Sequence, residues 1–133
     1  MDQSLEEIRR AYETSPFFRY IGAKIVWLEK GAVEMEIPIN ENLLNSQGTV
    51  HGGIYATLID NIISIKMRSI SRLPVVTVNL NVQYMAPAMK GKLIGKAQVT
   101  QKGHRLMMGE GSVFDEAGNL LAKGTATFKI VRD

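Results

Sequence analysis

A chain of 133 residues suits one compact domain with a single core, and 45% hydrophobic with 22% charged residues is the balance of a folded protein rather than a disordered one. Without a cysteine it has no disulfide framework and no thiolate metal site, so a reducing compartment, the cytoplasm by default, is the expected location. A net charge of +3 attracts anions mildly but falls short of a polybasic tail, and the absence of any run of about 18 apolar residues excludes a membrane-spanning helix.

In chain order, the opening MDQSLEEIRRAYET carries acidic residues and no apolar run, so it does not read as a secretory signal. Ser4-Leu5-Glu6-Glu7 is a capping box, and Leu5, Ile8 and Tyr12 then recur at helical spacing until Ser15-Pro16, predicting a short helix within an extension over 1–17. Lys24 to Lys30 is expected to pair, through a turn at Lys30-Gly31, with Ala32 to Ile39, where Val33, Met35, Ile37 and Ile39 alternate with Glu34, Glu36 and Pro38. Between Gly53 and Ser69, Ile54, Leu58, Ile62 and Ile65 keep the helical period while Tyr55, Ile59 and Ile63 widen the stripe, which predicts a largely enclosed helix. After Pro74 come four strands, 75–85, 92–102, 105–114 and 120–131, separated by turn residues at Pro87 to Gly91, Gly103-His104 and Asp115 to Asn119. Connections this short favour antiparallel neighbours. The expectation is a single domain over 1–133 with an α+β architecture, an antiparallel sheet wrapped around one long central helix. Met85, Met89, Met107 and Met108 read as plain core.

The chemistry concentrates where Asn45-Ser46-Gln47-Gly48-Thr49-Val50-His51-Gly52-Gly53 runs into the central helix. A helix N-terminus carries unpaired N–H groups and the positive end of the helix dipole, and glycine lets a ligand approach the backbone, so this junction suits a developing oxyanion. Further along, Asp60 is a carboxylate among Leu58, Ile59, Ile62 and Ile63, costly unless partnered or used. A bond to a buried hydroxyl, or a place on the helix's one wet face, would account for it without any reaction. Eight residues at 1.5 Å each put Gly52 and Asp60 about 12 Å apart, too far for both to reach one carbonyl within a single chain. Two antiparallel helices across a two-fold axis would bring them together.

Other polar residues have plainer readings. Thr77 falls with Asn79, Asn81 and Gln83 on the polar side of its strand, opposite Val76, Val78, Leu80 and Val82, which by pattern alone is a solvated face. His51 and His104 are the only histidines and no metal-ligand spacing joins them, so no metal is expected. Lys90, Lys92, Lys96, Lys102, His104 and Arg105 cluster in the second half of the chain, either as a soluble strand surface or as phosphate ligands, with Lys102, His104 and Arg105 around a turn as the better candidates for the latter. No helix-turn-helix, aromatic RNA-binding pattern or arginine-rich arm supports nucleic-acid binding.

Asn45, Gly48, His51-Gly52-Gly53 and Ala56-Thr57-Leu58-x-Asp60, followed by Val76-Thr77-Val78-Asn79-Leu80-Asn81-Val82-x-Tyr84, resemble the hotdog-fold thioesterases of the phenylacetate-degradation PaaI type, akin to 4-hydroxybenzoyl-CoA thioesterases. The resemblance spans about residues 18–130. It implies that Asn45 and the Gly52 N–H bind and polarise a thioester carbonyl, and that Asp60 of the facing subunit is nucleophile or general base on water. It further implies that Thr77 helps position that water, and that His51 orients loop or substrate without being the base. The substrate would be an acyl-CoA, with Lys102, His104 and Arg105 near its coenzyme A phosphates. The active unit would be a homodimer, assembled further into a homotetramer, with no bound cofactor. Lys66 and Arg68 depart from the pattern, since similar sequences carry small or apolar residues there. A non-catalytic acyl-CoA-binding module on the same fold is the alternative, and the acyl group itself is not identified.

Overall fold

The computed structural model describes residues 2–132. Helix α1 spans Leu5–Glu13, and its capping box is formed: the Glu7 N–H donates to Ser4 Oγ at 3.0 Å and the Ser4 N–H to Glu7 Oε1 at 3.1 Å. The chain then enters a second short helix that the periodicity does not predict, α2 over Pro16–Tyr20. Pro16 sits at its start, where a missing N–H breaks no helical bond.

Six strands follow: β1 (Lys24–Glu29), β2 (Ala32–Pro38), β3 (Val75–Tyr84), β4 (Lys92–Lys102), β5 (Leu106–Phe114) and β6 (Leu120–Ile130). Helix α3, Gly52–Ser71, lies between β2 and β3 in the chain. The strands form one antiparallel sheet in the order β1-β2-β4-β5-β6-β3. One expectation from connection length is corrected: β3 and β4 are not neighbours, because β3 pairs with β6 at the far edge while β4 pairs with β2. Their link crosses the open end of the sheet and is tied down on the way. The Met85 N–H donates to Leu121 C=O, Val50 N–H to Ala88 C=O, and Ile39 N–H to Gly91 C=O. These bonds replace the ladder a hairpin would have made.

The sheet curls around α3, whose Leu58, Ile59, Ile62, Ile63, Ile65 and Met67 are fully buried against Met35, Ile37, Leu93, Met107, Val113 and Phe128. Close approach depends on glycines on the concave face. A Cβ at Gly95 would lie 2.8 Å from the Leu58 side chain, and one at Gly124 would lie 2.6 Å from the Asn81 carbonyl oxygen and 3.0 Å from Ile59. Their absence of side chains lets the helix sit against the middle of the sheet instead of being held off by an extra layer. This is the α+β hotdog arrangement expected from the sequence, a short N-terminal helix and a long central helix wrapped by six antiparallel strands. Of the four methionines read as core, only Met107 is buried; Met85, Met89 and Met108 are exposed on the isolated chain, since the β3–β4 link and the outer face of β5 carry them away from α3.

The stripe of α3 that the sheet leaves open carries Thr57, Asp60, Asn61, Ser64 and Arg68, at spacings of three and four. Helices α1 and α2 cover one end of it, through Tyr12 and Phe18. That stripe holds the site.

Candidate active site

At the N-terminus of α3, His51 is the cap: its Nδ1 accepts the Gly53 N–H at 2.8 Å, which leaves Nε2 to carry the proton of a neutral ring. The Gly52 N–H finds no acceptor among the described residues, as the first turn of a helix permits. The preceding loop is shaped by Asn45. Its Oδ1 accepts the N–H groups of Gln47 and Thr49, and its Nδ2 donates to Thr49 Oγ1 at 2.9 Å, leaving one amide proton uncommitted. Asn45 is therefore a loop builder in the folded chain, and any part it has in binding comes through that remaining donor.

Tyr84, a residue the sequence motif contains but whose role it does not disclose, closes this end. Its hydroxyl donates to the Gly52 C=O at 2.7 Å, its ring stacks on Tyr55 at 5.9 Å, and a Cβ at Gly52 would stand 3.3 Å from it. The peptide at Gly52 is thus held from one side by Tyr84 and from the other by the His51 cap. Gly52 and Tyr84, with Val50, Tyr55 and Ala86, border a cavity of about 340 Å³.

Asp60 lies two turns further on, half-buried, and Thr77 Oγ1 donates to its Oδ1 at 2.8 Å. Strict alternation would put Thr77 on the face of Asn79, Asn81 and Gln83, but its side chain turns to α3 instead, while staying solvent-exposed. The β3–β6 register slips between Thr77 and Asn79, so Val78 is an extra residue in the strand. A bulge reverses the alternation. Before it Val75 and Thr77 face the helix; after it Leu80 and Val82 do, and Val76 and Val78 point outward, 51% and 59% exposed. Burial pushes the Asp60 carboxyl above the ordinary carboxylate range, and the Thr77 hydrogen bond offsets part of that rise. The carboxyl borders a cavity of about 440 Å³ that also takes in Tyr12, Phe17, Ser64, Arg68 and Val76. It is distinct from the cavity at Gly52, so within one chain the two groups serve separate spaces.

The basic residues divide. Lys92 pairs with Glu36 at 3.0 Å and Lys96 with Glu34 at 3.8 Å across the β2–β4 ladder, which commits them to the sheet surface. His104 and Arg105 border a third cavity, of about 440 Å³, together with Lys129 and Arg132; Lys102 does not line it. Val76 forms part of the wall of both this cavity and that of Asp60. Lys129 and Arg132 escaped the sequence reading because only the β5–β6 register sets Lys129 opposite Leu106, beside the turn, and only the fold lets Arg132 Nε donate to the His104 carbonyl. Of the two departures in α3, Arg68 lines the Asp60 cavity, whereas Lys66, its ammonium pushed down by burial, faces Trp27 and Val33 on the other side. Among the described residues no three His, Asp or Glu side chains converge in the manner of a metal site, and no helix is long and apolar enough to cross a membrane.

Comparison with known proteins places the family and the fold. The thioesterase superfamily model matches residues 47–122, the segment from the loop before α3 into β6. Human acyl-coenzyme A thioesterase 13 is 34% identical over 132 residues, covering 96% of this chain and 94% of that protein. The crystal structure of zebra fish thioesterase superfamily member 2 superposes with a TM-score of 0.84 at 29% identity, over 96% of this chain and 99% of that one. The phenylacetic acid degradation protein PaaI from Thermus thermophilus superposes at 0.81 with 24% identity, over 88% of this chain and all of that one, a likeness of fold.

Proposed function

Because the chain belongs to the thioesterase superfamily, we propose that it hydrolyses acyl-coenzyme A thioesters at a site completed by two copies of itself, Asp60 of one facing Gly52 of the other. The observation that carries this reading is the setting of Asp60, a carboxyl raised by burial, held by Thr77 and open to a cavity beside an edge strand. That strand, β3, is ten residues long, pairs among the described residues only on its β6 side, and exposes Val76 and Val78. An unprotected edge of this length invites a second strand, and a second copy supplies the Gly52 site that one chain holds about 12 Å away along α3. Acyl-coenzyme A as substrate rests on the human relative, which is named for that activity.

In the reaction, water adds to the thioester carbonyl carbon, the C–S bond breaks, and the products are the free acid and the coenzyme A thiol. Asp60 either removes the proton from water as the new C–O bond forms or attacks the carbonyl itself and is released by water afterwards. In both routes negative charge gathers on the carbonyl oxygen, where the unpaired Gly52 N–H and the positive end of α3 offset it. The remaining Asn45 amide proton adds a second donor. His104, Arg105, Lys129 and Arg132 flank the Asp60 cavity and suit the coenzyme A phosphates.

Release of thiol from a panel of aryl and aliphatic acyl-CoA thioesters tests the reading directly, since a chain without cysteine gives no background with a thiol reagent. Turnover of part of the panel is expected. Tight binding with no release from any member would replace hydrolysis with a binding-module function. The pH profile adds a sharper check. Asp60 must be ionised in either role, so kcat/KM should rise with pH through a value above the ordinary carboxylate range. Thr77 donates to the ionised form and lowers that value, so in Thr77→Val the rising limb should move to higher pH. An unmoved limb would mean that another group sets the profile.

A further inference from the structure

We propose that the Asp60 cavity receives acyl groups bearing a carboxylate at the end remote from the thioester, with Arg68 as the group that binds it; this rests on the thioesterase reading of the same site. Asp60, Ser64 and Arg68 stand at successive i, i+4 positions of α3 and all line the cavity. Eight residues set Asp60 and Arg68 about 12 Å apart along the axis, and helical side chains lean toward the N-terminus, so the guanidinium reaches back along the cavity.

The state of Arg68 points to a missing anion. Its Nη2 donates to Gln3 Oε1 at 2.7 Å and its Cζ lies 5.1 Å from the centre of the Tyr12 ring, both neutral partners. Its Nε is buried and has no acceptor, and no carboxylate lies within ion-pair distance among the described residues. A guanidinium carries five N–H donors, and shielding it from water without an anion is costly. Beside it the Tyr12 hydroxyl and the buried Ser64 hydroxyl bond to each other, which uses one of their two protons and leaves the other to donate. Phe17, Phe18 and Val75 add apolar wall to the same cavity. A short chain with a thioester at one end and a carboxylate at the other matches this sequence of surfaces, and the planar fork of Arg68 matches a carboxylate in two bonds.

The test compares adipoyl-CoA with hexanoyl-CoA, equal in chain length and differing in the terminal carboxylate. Wild-type kcat/KM should favour the adipoyl thioester by about tenfold or more, the range of a hydrogen bond to a charged group. Arg68→Met should abolish that ratio, while Gln3→Ala, which removes an anchor of Arg68 but not its charge, should keep it. A wild-type preference for hexanoyl-CoA, or an equal loss on both thioesters in Arg68→Met, would overturn the proposal, the second by assigning Arg68 to the coenzyme A portion or to the hold on α1. The affinities of the two corresponding thioethers, which cannot be hydrolysed, give the same ratio without turnover. A protein that releases no thiol but binds the carboxylated thioether more tightly would therefore refute hydrolysis and leave the subsite standing.

Discussion

Asp60→Asn is expected to slow thiol release by on the order of 10²–10⁴-fold, and by more if Asp60 is the nucleophile, while making the protein more resistant to heat at neutral pH. The first effect follows from removing the only carboxylate, among the described residues, that borders the cavity between α1, α3 and β3. The second follows from the direction of its titration. Burial raises the folded-state carboxyl above its unfolded value, so in that window the folded state holds more protons than the unfolded one. Stability then falls as pH rises from the ordinary carboxylate range through the raised value, and at neutral pH the whole cost of the buried charge is present. Asparagine keeps an oxygen for the Thr77 hydroxyl and carries no charge, so it removes that cost. Melting curves across pH should show the variant above wild type at neutrality and the gap closing on acidification. An inactive variant that melts lower than wild type at every pH would signal a damaged fold rather than a lost carboxylate.

Mixing two inactive proteins should restore activity if the site spans two chains. Asn45→Ala removes the uncommitted amide donor and loosens the loop that leads into Gly52, a loss of order 10²–10³-fold for one oxyanion donor, and Asp60→Asn removes the carboxylate. Each homodimer then carries two defective sites. In a mixed dimer both changes fall in one site and the other is intact. Random pairing makes half the dimers mixed, so refolding the two variants together should recover about a quarter of wild-type turnover, many times that of either alone. Absence of recovery, with mixed dimers demonstrated by a mass tag, would mean that Gly52 and Asp60 of the same chain serve each reaction or that the two never act together.

The contrast between Asp60 and Thr77 illustrates how much was legible beforehand. Asp60 announces itself by charge amid isoleucines in a helix whose period is plain, and its place on the open stripe follows from counting turns. Thr77 does not, because the bulge at Val78 exists only against β6; read by strict alternation, the hydroxyl that bonds Asp60 lies on the wrong face. Arg68 was visible as an oddity in an apolar helix, yet its unanswered charge depends on which residues of α1 and the N-terminal segment lie over it. Likewise Lys129 and Arg132 join His104 and Arg105 only through strand register.

From the sequence by itself came α1 with its capping box, the enclosed α3, the six strands, the class of architecture and the His51-Gly52 to Asp60 constellation, since helical and strand periods, caps and turns are set by residues a few positions apart. Only the tertiary structure decided that β3 leaves β4 to pair with β6, that a bulge turns Thr77 inward, and which cations gather beside the Asp60 cavity. Each of these depends on contacts between segments far apart in the chain, where one residue of register reverses a face, and no local pattern carries that information.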